Sequence, residues 1–119
     1  MDKVNIEQKL SLFTEHWSPK IVGELNGQQV KLAKLKGKFV WHTHEMEDEL
    51  FFVLKGSLKI ELKDKTVVVN PNEFFIVPAG VAHCPVADEE VSLMLFEPAT
   101  TVNTGNTPGE LTKQVLDKI

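Results

Sequence analysis

Cysteine is nearly absent: Cys84 stands alone, so no intramolecular disulfide is available to hold the fold. No apolar run approaches the roughly 18 residues that a membrane-spanning helix needs, and the N-terminal residues lack the basic, apolar, small-residue order of a signal peptide. A cytoplasmic location is the expectation. Basic residues are outnumbered, thirteen Lys and Arg against seventeen Asp and Glu, for a formal charge of −4. Without a basic excess there is little to neutralise phosphates, which disfavours nucleic acids and anionic membranes as partners. Repeats of about 20 residues or more, low-complexity blocks and linkers are missing too. At 119 residues, one domain with a real core is expected.

What is present is short, alternating and turn-bounded. Seven Gly, six Pro and many brief β-branched and aromatic runs point to an all-β body. Strands are expected over residues 20–25, 28–36, 39–44, 50–54, 58–62, 66–69, 74–77 and 91–96, with Asn26-Gly27 as a hairpin turn. Asn5 is placed to cap a helix, with Gln8 at the reciprocal position and Ile6, Leu10, Phe13 and Trp17 on one face until Ser18-Pro19 ends it. At the other end, Thr107-Pro108-Gly109-Glu110 combines a cap, a first-turn proline and a capping-box acid, which predicts a short helix carrying Leu111, Val115 and Ile119. The chain thus divides into an N-terminal helix (1–19), a β-barrel (20–98) and a C-terminal loop with a short helix (99–119).

Three of the four histidines fall close to an acid: His42-Thr43-His44, then an acidic run of Glu45, Glu47, Asp48 and Glu49, then His83 after Pro78-Ala79-Gly80. Imidazole and carboxylate are the ligand set of a borderline divalent metal. On a strand over 39–44, Val40, His42 and His44 share one face and Phe39, Trp41 and Thr43 the other, where the large aromatics Phe39 and Trp41 pack beneath the N-terminal helix or form a subunit contact. Position alone does not choose the ligand within the acidic run, which is otherwise a solvated loop. His16 reads as a surface or cap residue and Cys84 as a small buried hydrophobe.

These residues resemble the cupin family, and in particular its small cupin-2, mannose-6-phosphate isomerase-like members. The first family motif is matched by Gly37, His42-Thr43-His44, Glu49 and Gly56, with four residues rather than five separating Gly37 from His42. The second is matched by Asn72, Pro78-Ala79-Gly80 and His83, with Ala87 where the family has Asn. Asn72 replaces a family Gly, which is benign because Asn tolerates the left-handed turn conformation. The resemblance covers roughly residues 20–98.

It implies a double-stranded β-helix, the jelly-roll barrel, to which the two terminal helices are added, and selects Glu49 to join His42, His44 and His83 as metal ligands. It also implies a homodimer and one divalent transition metal: zinc, iron, nickel, manganese or cobalt. A metal that prefers six ligands keeps two places for a small oxygenated metabolite, which suits isomerase, lyase or dioxygenase chemistry. The other class is a non-catalytic small-molecule-binding or sensing module. Glu47 and Glu97 are the candidates for a general base. The 99–119 tail is expected either to fold over the barrel mouth or, preferably, to dock outside through Leu111, Val115 and Ile119.

Overall fold

Alternating side chains and tight turns dictate an antiparallel sheet, and the computed structural model, which describes residues 1–119, has this all-β fold. One helix, α1 (Ile6–Leu10), precedes β1 (Lys20–Leu25), β2 (Gln28–Lys38), β3 (Glu49–Lys55), β4 (Leu58–Glu61), β5 (Thr66–Val69), β6 (Phe74–Val77) and β7 (Cys84–Pro98). Asn26 and Gly27 take φ of 50° and 75°, both in the left-handed region that a two-residue hairpin turn demands. Asn72 likewise sits at φ 67°.

The seven strands form one sheet in the order β1-β2-β7-β3-β6, with β4 joining β7 and β5 joining β4. β7 organises it. Its fifteen residues pair with β2 along most of their length, with β3 through Ser92 to Phe96, and with β4 through Cys84 to Val86. Ala33 and Leu35 from β2, Phe51 and Val53 from β3, and Leu93 and Leu95 from β7 face inward and form the main core. A second, smaller cluster lies on the outer face, where Leu10 and Phe13 cover Leu32.

Three segments differ from the sequence expectation. The N-terminal helix is capped as expected, with Asn5 Oδ1 accepting from Gln8 N at 3.0 Å, but it stops at Leu10 instead of reaching Trp17. Phe13 is instead held by the Lys34 side chain, whose Nζ donates to the Phe13 carbonyl, and Trp17 N donates to the Lys34 carbonyl. A helix so short is not stable alone, so these tertiary contacts decide its end. No helix forms over 107–119. The Thr107 hydroxyl, expected to cap it, donates to the Trp41 carbonyl, while the Asn103 side chain takes the Leu111 carbonyl and the Lys113 N–H that helical bonding would use.

Residues 39–44 are not a strand: after Lys38 the chain keeps one main-chain bond to β7, from Phe39 N to the Pro85 carbonyl, and then meets the His42–His83 bridge. Phe39 is therefore buried and stacks on Trp17 instead of facing outward, while Trp41 is exposed and lies beneath no helix. Conversely, 84–90 extends β7 despite Pro85 and its acidic residues, because Gly37 and Lys38 pair on one side and β4 on the other.

Candidate metal centre

Two paired histidines anchor the site. The reciprocal main-chain bonds between His42 and His83, both 3.0 Å, bring the first motif segment against the turn that follows β6. Each ring is then oriented the same way: His42 Nδ1 lies 2.8 Å from the Val40 carbonyl and His83 Nδ1 2.9 Å from the Val81 carbonyl. A carbonyl oxygen only accepts, so both Nδ1 atoms carry the hydrogen and both Nε2 atoms are left as lone-pair donors for a metal. Glu49 opens β3 in phase with Phe51 and Val53, which turns its carboxylate inward.

The donor atoms of His42, His44, Glu49 and His83 all lie within 4.8 Å of one another, and all four residues are buried. Of the acidic run, Glu45 and Asp48 are exposed and Glu47 only half-buried. Glu49 Oε1 is 3.2 Å from His83 Nε2 and 3.4 Å from His44 Nε2. The His44 contact is too poorly aligned for a hydrogen bond, and that buried nitrogen has no other partner. Lone pairs of a neutral imidazole and a carboxylate facing each other repel unless a proton or cation lies between them. Donors about 2.1 Å from a shared ion stand roughly 3.0–3.4 Å apart, so the separations fit a divalent metal of the N/O-binding kind.

A second charged pair, only half visible in the sequence, backs this cluster. Strand register sets Leu50 opposite Phe96 and Phe51 opposite Leu95; continued by one step, it sets Glu49 opposite Glu97. Two inward carboxylates so placed repel. Lys31, inward on β2, relieves them with Nζ 2.7 Å from Glu97 Oε1, both side chains being almost completely buried. Burial and the charge on Glu49 together push the Glu97 carboxyl well above the usual carboxylate range. For Glu49, burial opposes ionisation, but His44, His83 and Glu97 outweigh it and hold the carboxyl well below that range. Lys31 escaped sequence reasoning, although the parity of Lys31-Ala33-Leu35 and of Val91-Leu93-Leu95-Glu97 carries both residues inward.

Of the other candidates, Glu47 lies outside the interior and accepts from the Thr100 hydroxyl. Cys84 is buried, and burial raises its thiol pKa. His16 is a surface residue paired with Glu90 at 2.7 Å. The start of the tail reaches the first motif segment. Asn106 exchanges bonds with the main chain of Thr43, and Gly105 passes so close that a Cβ there would meet the Thr43 carbonyl at 2.3 Å. Only Gly fits such an approach at φ 52°. Further on, Ile119 docks outside against the α1 cluster, whereas Val115, expected to dock with it, is exposed.

A model of the cupin domain matches residues 28–98, well over half of the chain. The chain belongs to the cupin family. An uncharacterized protein, YdbB of Bacillus subtilis, is 43% identical over 63 residues, covering 52% of this cupin and 56% of that protein, so the match spans little more than half of the relative's length. The crystal structure of a cupin-2 domain containing protein from Shewanella frigidimarina is 43% identical with a TM-score of 0.79, covering 80% of this cupin and 93% of that chain. Protein NMB1881 from Neisseria meningitidis is 31% identical with a TM-score of 0.76, covering 82% and 100%. No helix of the cupin is long and apolar enough to cross a membrane.

The site is expected to make the metal-free cupin acid-labile. Burial, and next the neighbouring His83, push His42 down from 6.5 to about 4. Folded His42 therefore binds a proton less readily than the unfolded chain does. Its contribution to stability is complete above pH 6.5 and is lost as the pH falls towards 4. At about 1.4 kcal/mol per unit, about 3 kcal/mol disappears across that window. Urea unfolding of chelator-treated protein at several pH values checks this; a flat profile contradicts it.

Proposed function

We propose that this cupin holds one divalent transition metal through His42, His44, Glu49 and His83 and acts as a metal-dependent enzyme on a small oxygenated metabolite. The convergence of four buried donor atoms within 4.8 Å carries this reading. When bound, the metal supplies Lewis acidity towards an oxygen of the metabolite, or redox chemistry if it is iron, which suits isomerase, lyase or dioxygenase reactions. The chain's own contribution is orientation and charge. Val40 and Val81 fix the tautomers of His42 and His83, Glu49 offsets the ionic charge, and Glu97 offers a carboxyl that can hold or release a proton at the cavity wall. Protein purified without an affinity tag is expected to carry about one metal ion per chain, read by elemental analysis, and to convert a member of a panel of small oxo compounds. Metal without turnover leaves a binding module; no metal defeats the reading.

We further infer a homodimer through the outer sheet face, in the cytoplasm. On the edge strand β6, Phe74 and Ile76 share a face and remain 59% and 47% exposed. Register places Phe52 and Leu50 beside them, then Met94 and Phe96. An apolar row on an edge strand is a surface that proteins normally cover. Sedimentation is expected to give twice the chain mass of 13.4 kDa, and a Phe74→Glu, Ile76→Glu variant the single mass. A monomeric wild type refutes the interface.

A further inference from the structure

The interior of the barrel beside the candidate ligands is small and unevenly polar. A cavity of about 40 Å³ borders His42, Glu49 and Glu97, which is room for about three waters, or a ligand fragment of similar bulk. Ala33, Leu35, Phe51, Leu93 and Leu95 line it with hydrocarbon. Two further wall residues bear polar groups, and both are committed elsewhere. Asn103 spends its amide on the Leu111 carbonyl and the Lys113 N–H, each at 2.9 Å, and Trp17 Nε1 donates to the Lys36 carbonyl at 2.9 Å. By contrast Glu97 Oε2 is buried with no hydrogen-bond donor facing it. Hydrogen-bonding capacity is thus confined to the end where the metal ligands stand.

Trp17 is part of the cavity wall. It adopts φ 58°, a conformation rare for a bulky residue, and its ring stacks on Phe39 at 4.5 Å while Phe39 meets His42 edge-on. Strain of this kind persists only where the surroundings over-determine it, and it gathers at functional sites. Both Trp17 and Asn103 lie outside the family match at 28–98, so this part of the wall belongs to the chain's flanks rather than to the barrel itself.

Resting on the metal reading above, we infer that the substrate is a short amphipathic oxo compound: a two-oxygen head at the metal and an aliphatic body of a few carbons in the cavity, with polyhydroxylated sugars rejected. A sugar carries a hydroxyl on nearly every carbon, and beyond the metal end each would be buried without a partner. A chain longer than the cavity holds meets its walls, Trp17 among them.

Three 2-oxo acids with the same head separate these effects: 2-oxopentanoate, 2-oxooctanoate and the polyhydroxylated 2-keto-D-gluconate, titrated calorimetrically into the purified metal-containing protein. The expected result is that 2-oxopentanoate binds at least about tenfold more tightly than either of the others. A Trp17→Gly variant, which also relieves the left-handed strain, is expected to gain at least about fivefold for 2-oxooctanoate. Equal or tighter binding of 2-keto-D-gluconate, indifference to chain length, or no binding by any of the three overturns the inference. Metal analysis of the same samples distinguishes the failures: about one ion per chain without selectivity defeats the cavity's role alone, whereas absence of metal defeats the site beneath it as well.

Discussion

Replacing His83 by alanine is expected to lower metal affinity by at least about a hundredfold, since changes merely to groups supporting a ligand cost 10–100-fold. His83 is the most buried of the four candidate ligands, with Nε2 3.2 Å from Glu49 and the ring 4.3 Å from that of His42. Its main-chain bonds to His42 do not involve the ring, so the variant retains the link that joins the two motif segments. Metal loss is therefore separable from unfolding. Elemental analysis after dialysis against a weak chelator, alongside the melting temperature, checks this. Equimolar metal in a folded His83→Ala protein removes His83 from the ligand set.

The largest stability effect is expected at Lys31. Methionine there keeps much of the volume but removes the Nζ donor 2.7 Å from Glu97 Oε1 and the buried cation that offsets the Glu49 charge and holds down the Glu97 carboxyl, which burial and Glu49 otherwise push up. Breaking a buried pair by removing one partner typically costs about 3–5 kcal/mol, whereas exchanging both partners for apolar residues is often close to neutral. Lys31→Met is expected to lose that amount in urea unfolding at neutral pH, and Lys31→Met with Glu97→Leu to recover much of it. A loss below about 1 kcal/mol for the single variant shows that the pair does not hold the barrel interior together.

These two positions differ in how far they can be read in advance. His83 stands in a turn-bounded motif whose neighbours announce it. Residue type and spacing mark His42, His44 and His83 as candidates, the family resemblance is what selects Glu49 from its acidic run, and the structure brings the four donor atoms together. Lys31 has no such local mark. It looks like one more lysine in Lys31-Leu32-Ala33-Lys34, and its partner lies 66 residues away. Only the parity of three strands, combined with the β2–β7 and β3–β7 registers, shows that Lys31, Glu97 and Glu49 meet.

By itself the sequence determined the hairpin at Asn26-Gly27, the helix cap at Asn5 and most of the strands, because turn conformation, capping and two-residue alternation act between neighbours. Tertiary structure alone decided that α1 ends at Leu10, that residues 39–44 leave the ladder, that 107–119 forgoes its helix, and that Trp17 lines the cavity. Each of those outcomes turns on a backbone or side-chain polar group finding its partner far along the chain, as Thr107 does at Trp41 and Trp17 at Lys34. Local preference cannot anticipate such partners, because a buried group goes wherever its hydrogen bond is satisfied.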